Sequence, residues 1–386
     1  MPAIGTGVAL WPSRYFPPEE TAQGAKALFE SGVVDDLYIF DQLSSWWPPH
    51  LWNETNAPIA SRVIDFDSFQ DITALGGYLA GRVPGAGIVF SHDTLRRGPA
   101  ELSQMMITMA DLTNGRATYA LGSGEIKQAK PFGHKRSEGL RRLEDALQVF
   151  HAFWTNDGPI THDGHIWKLD KAFIGNSKAN RPKIWIMGGG PKIIDLATSY
   201  ADGFVTALPW VFRTPEQAAK SIADVKRQLE IKGRDPEAFD FGGFILGAFH
   251  DDDDFIQQAF ENPLIKFLTA AMGRLNMSDW VEEGHEAPFP LDWHYAMKLL
   301  PREMDRSEVD AALAKVTPAM SNSCWFKGSA QSIYDQTKPY IDAGINWVCP
   351  SDLLGLTLPQ DEWPAAMQRS IDFCGLAKST SRVGAR

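Results

Sequence analysis

Four short apolar runs in this 386-residue chain each end in residues that could do chemistry. Asp41 and Gln42 follow residues 36–40. Ser91, His92 and Asp93 follow residues 85–90. Gly122, Ser123, Gly124 and Glu125 follow residues 117–121, and Gly188, Gly189 and Gly190 follow residues 183–187. A carboxylate or imidazole at a strand end, partly shielded from water, can move a proton. For Glu125 the expected shield is Trp46, Trp47 and Phe90, which would raise its pKa and suit it to act as an acid. The three glycines before Pro191 open a helix, and uncovered N–H groups at a helix start suit a phosphate. Each feature also has a plain structural reading: a solvated Glu after a turn, a histidine bonded for structure, an Asp capping its loop, a glycine connection without ligand. Trp46 and Trp47, followed by Pro48 and Pro49, read as a stiff and exposed platform or as core aromatics under a loop.

These positions need a scaffold that brings strand ends together. Strands are expected at 4–10, 36–40, 85–90, 117–121, 183–187, 203–208, 239–249 and 346–349. Helical spacing predicts helices at 18–31, 69–82, 99–112, 139–154, 192–200, 215–232, 330–343 and 363–373. Eight strand–helix pairs argue for an α/β fold, a (β/α)8 TIM barrel, whose ligands bind where strands end. A doubly wound sheet would want a dinucleotide fingerprint after the first strand, and Gly5-Thr6-Gly7-Val8 is not one. Residues 155–180 read as a hairpin excursion. Residues 251–318 break the alternation and read as a mainly helical insertion. The domain expectation is one barrel over 1–376 with a loose tail at 377–386.

Composition narrows the function. The net charge of -11, with no basic stripe, argues against nucleic acid and anionic membranes as partners. No run of about 20 apolar residues predicts a membrane span. Cys324, Cys349 and Cys374 are widely spaced and form neither a zinc pattern nor a disulfide framework, so a reducing cytoplasm is expected. No secretory leader pattern opens the sequence. The run His250-Asp251-Asp252-Asp253-Asp254 is a helix start or solvated loop, because consecutive residues cannot all face one ion, so no metal is expected. Thirteen Trp and 22 Phe suggest a pocket for an apolar or flat small molecule.

Taken together, certain segments resemble the luciferase-like superfamily and, within it, the deazaflavin-dependent hydride transferases. They are Asp41 with Trp46, Arg96-Arg97-Gly98-Pro99-Ala100, Gly122-Ser123-Gly124-Glu125, Pro131-Phe132-Gly133, Ile186-Met187-Gly188-Gly189-Gly190-Pro191, Ala201-Asp202-Gly203 and Lys327-Gly328-Ser329-Ala330. They span most of residues 1–376 in order. Arg96-Arg97, a Lys266-containing insertion and the 284–288 region are similar to phthiodiolone ketoreductase-like members.

The resemblance implies coenzyme F420 as cofactor, with FMN as the alternative, and a cytoplasmic homodimer acting on a small molecule. It puts Asp41, Trp46, Gly122, Gly124, Thr206 and Ala207 around the cofactor. It also implies a non-prolyl cis peptide in a bulge near Val89, Phe90 and Ser91. The Gly188–Gly190 turn would take the phosphate, with Lys266 or Arg274 reaching the anionic tail. Glu125, His92 and Gln42 are the candidate catalytic residues. Many relatives carry His where this chain has Gln42, and a Gln amide does not exchange a proton at neutral pH. Proton transfer then falls to Glu125 or His92, and reduction of a carbonyl or other electron-poor substrate is the expected reaction. An FMN-dependent monooxygenase and a cofactor-binding protein without turnover are the alternatives.

Overall fold

The computed structural model describes residues 4–383. Among them eight parallel strands close into a barrel: β1 Gly5–Ala9, β2 Asp36–Phe40, β3 Gly87–Asp93, β4 Ala117–Gly122, β5 Lys183–Met187, β6 Gly203–Leu208, β7 Asp240–Phe249 and β8 Trp347–Asp352. Each pairs with the next in parallel, and β8 returns to β1. The helices that follow them are α1 Pro18–Glu30, α2 Ile72–Arg82, α3 Pro99–Leu112, α4 Gly139–Thr155, α5 Pro191–Tyr200, α6 Pro215–Ile231, α7 Ala330–Asp342 and α8 Trp363–Val383. This is the expected (β/α)8 architecture.

Strand alternation sorts the apolar residues into two cores. Leu37, Ile39, Ile88, Phe90, Tyr119, Leu121, Ile184, Ile186 and Phe204 face the helices. Val89, Ala120, Trp185, Val205, Trp347 and Cys349 fill the lumen with Tyr38, Met187 and Phe244. Two indoles close the lower lumen, Trp185 and Trp347, at 5.0 Å in an edge-to-face contact. Their N–H groups donate to Asp240 Oδ2 at 3.0 Å and Asp36 Oδ2 at 2.9 Å. Burial, only partly offset by the Trp347 bond, pushes the Asp36 carboxyl up to about 6. Glycine makes room for the rings: a Cβ on Gly7 would sit 2.5 Å from Trp347 Cζ2, and one on Gly203 would sit 2.5 Å from Trp185 Cδ1.

The expected hairpin is Ile160–Asp163 with Lys168–Ala172. Between β7 and α7 lies the helical insertion, whose helices run from Asp253–Phe260 to Pro318–Cys324, somewhat beyond the expected 251–318. It shares a second apolar core with the loop after β2, formed by Trp47, Leu51, Phe66, Phe69, Phe267, Trp280, Phe289 and Trp293 among others. Trp47 Nε1 donates to Leu264 O at 2.9 Å and Asn262 Nδ2 to Asn56 O at 2.7 Å, which tie the two segments. His250-Asp254 is a helix start, with Asp252 accepting from the N–H groups of Asp254 and Phe255.

Three local expectations are corrected. β3 runs to Asp93 rather than Phe90, because its pairing with β4 continues through Asp93 opposite Gly122. That uninterrupted ladder leaves no bulge, and the peptides of Val89, Phe90 and Ser91 are trans; among the described residues the cis peptide is Leu208–Pro209. The supposed loose tail continues α8 through Val383, anchored by buried Phe373, Cys374 and Ala377 and by Lys378 Nζ 2.6 Å from Asp35 Oδ1; residues 384–386 lie outside the described residues.

Because the indoles leave no slack, Gly7→Ala is expected to cost about 1–3 kcal/mol by overpacking. Urea unfolding measures it, and an unchanged midpoint would refute the packing argument.

Candidate active site

The C-terminal strand ends bring the sequence-selected residues to one end of the barrel, but not all to one side of the wall. Ser91, Gly122, Met187 and Ala207 lie on lumen-facing positions of β3, β4, β5 and β6. Ser91 Oγ is 3.4 Å from Met187 Sδ, and a Cβ on Gly122 would stand 3.4 Å from Met187 Cε. Val89 lies below them in the filled lumen. Small residues at this level leave a floor that a flat ring can approach. Beneath it Tyr38 packs on Phe244 at 4.7 Å.

Phe90 and His92 face the other way. Alternation turns both toward the helices, where Phe90 and His92 stack on Tyr119 at 4.7 and 5.8 Å. His92 is 2% exposed. Its Nδ1 lies 2.9 Å from Asp41 Oδ2, and its Nε2 is buried without a partner among the described residues. Asp41 also takes Arg96 Nη2 at 2.7 Å, while Arg96 Nε donates to Asp93 Oδ2 at 2.9 Å. Burial pushes the Asp41 carboxyl up, but His92 and the Arg96 and Arg97 charges outweigh it and hold Asp41 below its ordinary value. Asp41 and His92 therefore form a buried bracket behind the strand ends, and Phe90 does not shield Glu125.

The lumen side is organised by a residue that sequence reasoning passed over. Lys127 lies in the short helix Ile126–Ala129 directly after Glu125 and is 1% exposed. Its ammonium donates to Gln42 Oε1 at 2.8 Å and Ser44 O at 3.0 Å, pairs with Glu125 Oε2 at 2.9 Å, and lies 4.6 Å over the Trp46 ring. Burial pushes this ammonium below its usual value, with the Glu125 charge opposing the shift. Gln128 completes the clamp: its Nε2 donates to Gln42 Oε1 and Ser44 O at 3.1 and 2.8 Å, and its Oε1 accepts from Leu43 N at 2.8 Å. An amide oxygen has two lone pairs and accepts from both donors; a neutral imidazole at position 42 could accept once. So Gln42 fits Lys127. Of the paired tryptophans, Trp46 borders this cluster and Trp47 is core, 4% exposed.

Glu125 is the carboxylate at the mouth, with its side chain 25% exposed. Gly124 precedes it at φ 80°, a left-handed conformation where a Cβ would also strike Leu95 Cδ1 at 2.2 Å. The insertion helix Tyr295–Lys298 packs on Ile126–Ala129 and closes this side.

The turn Gly188–Gly190 is exposed, with Gly188 at φ 134° and the first backbone bond of α5 running from Ile194 N to Gly190 O at 3.0 Å. Earlier N–H groups of such a helix lack intrahelical partners. Continuing the register Met187 opposite Val205 sets Thr206 beside Gly188, and Thr206 Oγ1 is buried without a partner among the described residues. Lys266 is paired with Glu261 Oε2 at 2.5 Å. Arg274 is no free cation: its donors go to Glu283 Oε1 and Oε2, Gly273 O and Ser323 Oγ at 2.7–3.0 Å.

Sequence reasoning also missed Arg136, His294 and Tyr295. Lys127 gave no signal, since a lysine two residues past a glutamate reads as a solvated turn.

Two outcomes follow from these networks. Lys127→Met leaves Glu125 without its partner and Gln42 and Ser44 with only the Gln128 donor, and is expected to cost about 2–4 kcal/mol; urea unfolding with Trp fluorescence would refute this if wild-type values persisted. Asp41 has a depressed folded pKa, so its contribution is present above the unfolded value near ~3.9 and is lost as pH falls through the folded one. The stability gap between wild type and Asp41→Asn should close below about pH 4. A gap that stays constant in acid melts would refute it.

The chain is 26% identical to the phthiodiolone/phenolphthiodiolone dimycocerosates ketoreductase of Mycobacterium tuberculosis over 342 residues, 86% of this chain and 87% of the relative. It is 28% identical to the F420-dependent glucose-6-phosphate dehydrogenase of Nakamurella multipartita over 232 residues, 56% and 64% of the two chains. A solved F420-dependent secondary alcohol dehydrogenase, in complex with an F420-acetone adduct, superposes at TM-score 0.67 with 19% identity, covering 92% of this chain and 96% of that one. Residues 47–346 match the family described as luciferase-like monooxygenase, and this chain belongs to that family.

Proposed function

We propose that this protein is a coenzyme F420-dependent oxidoreductase that reduces a carbonyl compound. The observation that carries the reading is the mouth itself: Glu125, held by Lys127, stands above a floor of Ser91, Gly122, Met187 and Ala207. The ketoreductase and F420-dependent enzymes among its relatives support it. The residues fit the coenzyme. Gly188–Gly190 offers uncovered backbone N–H groups and Thr206 an unpartnered hydroxyl for a phosphate, and the small floor admits a planar ring. Reduced F420, when bound, supplies a hydride.

The chain's own part is to position, exclude water and provide a proton. Trp46 and the Tyr295–Lys298 helix wall the mouth. When the carbonyl carbon gains hydride, its oxygen gains one proton. The Lys127 ammonium 2.9 Å away passes a proton to the Glu125 carboxylate, which hands it on to that oxygen, so Glu125 ends as the carboxylate it began as and Lys127 ends neutral. Its burial favours that loss. Solvent then restores the proton through the exposed edge of Glu125. Gln42 holds Lys127 in place. His92, behind the wall, steadies Asp41 and the β2 end rather than touching substrate.

We read the chain as one luciferase-like unit whose last helix runs through Val383, working as a cytoplasmic homodimer. Free, buried Cys324, Cys349 and Cys374 support a reducing compartment. Among the described residues no helix is long and apolar enough to cross a membrane.

Titration with oxidised F420 and with FMN, followed by Trp quenching, tests the cofactor. Tight F420 and weak FMN binding is expected; the reverse, with oxygen consumption, would overturn the reading in favour of a monooxygenase. Glu125→Gln should lower kcat by about 10²–10³-fold with F420 affinity unchanged. Full turnover with an unaltered pH profile would remove Glu125 from the mechanism.

A further inference from the structure

Arg136 reaches the mouth without a matching charge. It lies in the turn Arg136–Glu138 before α4, and its Nη2 donates to Ser123 Oγ at 3.2 Å, two residues from Glu125. Among the described residues this is its hydrogen bond, no carboxylate stands within 4.0 Å of it, and its Nε is buried without a partner. Glu125 is no substitute, being paired with Lys127. Asp93 is likewise taken, by Arg96. The backbone is shaped around this guanidinium: a Cβ on Gly139 would fall 2.8 Å from Arg136 Nη1 and 2.0 Å from Ser123 O. Arg136 is half-buried, and a guanidinium with no counter-charge and one buried donor unused suits an incoming anion. Burial pulls Arg136 below its ordinary value, and Glu125, Tyr295 and Asp93 recover only part of that.

Two further groups stand near it. His294 and Tyr295 come from the insertion, at the start of the helix that covers Ile126–Ala129. His294 Nδ1 accepts from Ala296 N at 3.2 Å, so the neutral ring carries its proton on Nε2. Burial, and then the Arg136 charge, hold His294 below its usual value. It is thus an uncharged N–H donor at neutral pH.

We infer that Arg136 binds a carboxylate on the substrate, so that the carbonyl compound reduced at this mouth is an oxo acid rather than a neutral ketone. A planar guanidinium matches a carboxylate in two parallel bonds. One full positive charge with a neutral imidazole suits a monoanion better than a phosphate dianion. Trp46 and Tyr295 at the same mouth suit an aromatic or apolar remainder. The inference rests on the reading of this mouth as the reducing site.

The test has one arm that needs no cofactor. Purified protein is titrated with phenylacetate and with phenylacetamide, read by Trp fluorescence and by thermal midpoint. The carboxylate is expected to bind about tenfold more tightly than the amide, and Arg136→Met should abolish that difference. Without ligand this variant should melt as wild type does, since only Ser123 loses a partner. Equal binding of acid and amide by wild type, or discrimination that survives Arg136→Met, would overturn the inference.

The second arm uses reduced F420 with phenylglyoxylate and its methyl ester. Arg136→Met should raise KM for the acid about tenfold and leave KM for the ester and both kcat values alone. If the variant instead weakens F420 binding, Arg136 holds the cofactor's anionic tail and the inference is wrong. If wild type does not bind F420, the reading of function fails, while the phenylacetate arm still decides what Arg136 binds.

Discussion

A buried ammonium must be met on every side, and Lys127 imposes that demand on the mouth of this barrel. Its acceptors come from two different strand ends: Gln42 and Ser44 after β2, Glu125 after β4, with the Trp46 ring as a further surface. Leaving any of them unmet in a low-dielectric setting would cost more than the bond contributes in water. The two loops are thus locked to each other, and Glu125 and Trp46 are set by one cation. The same demand explains position 42. A side chain is needed that accepts twice and carries no charge, and glutamine meets it.

Below this clamp the lumen is filled, and that decides where a ligand can go. Trp185 and Trp347 occupy the lower barrel because glycines on β1, β6 and β7 leave room for the rings. Near the mouth the lining shrinks to Ser91, Gly122 and Ala207 around the flexible Met187. Large side chains low and small ones high give a closed floor and an open top. Above, the β2 loop and the insertion share an aromatic core, so the wall of the mouth is itself well packed. Cover and clamp meet where Tyr295–Lys298 rests on Ile126–Ala129.

Charge at this end is mostly self-contained. Asp41 and Asp93 are bound to Arg96, Glu125 to Lys127, Arg274 to Glu283 and Lys266 to Glu261. Among the described residues Arg136 departs from that pairing, with Ser123 as its hydrogen-bond partner and no carboxylate within 4.0 Å.

The sequence by itself determined the barrel. Eight strand–helix periods, with turn residues between them, leave few other ways to bury the apolar faces, and the resulting elements match to within a few residues except the last helix, which runs ten residues further. It also pointed to the loops that the barrel gathers at one end, and Glu125, Trp46 and Gly188–Gly190 stand on those loops. It did not determine which side of the wall each residue faces. That depends on where a strand ends: extending β3 to Asp93 makes His92 an outward-facing rung beside Tyr119 and leaves Ser91 inside. Nor did it single out Lys127 or Arg136. A lysine or arginine in a polar turn reads as solvated, and only the tertiary structure, by folding the β2 loop and the insertion over that turn, buries Lys127 and half-covers Arg136. Burial is a property of the assembled neighbours, and those neighbours lie some 85 residues away for Lys127.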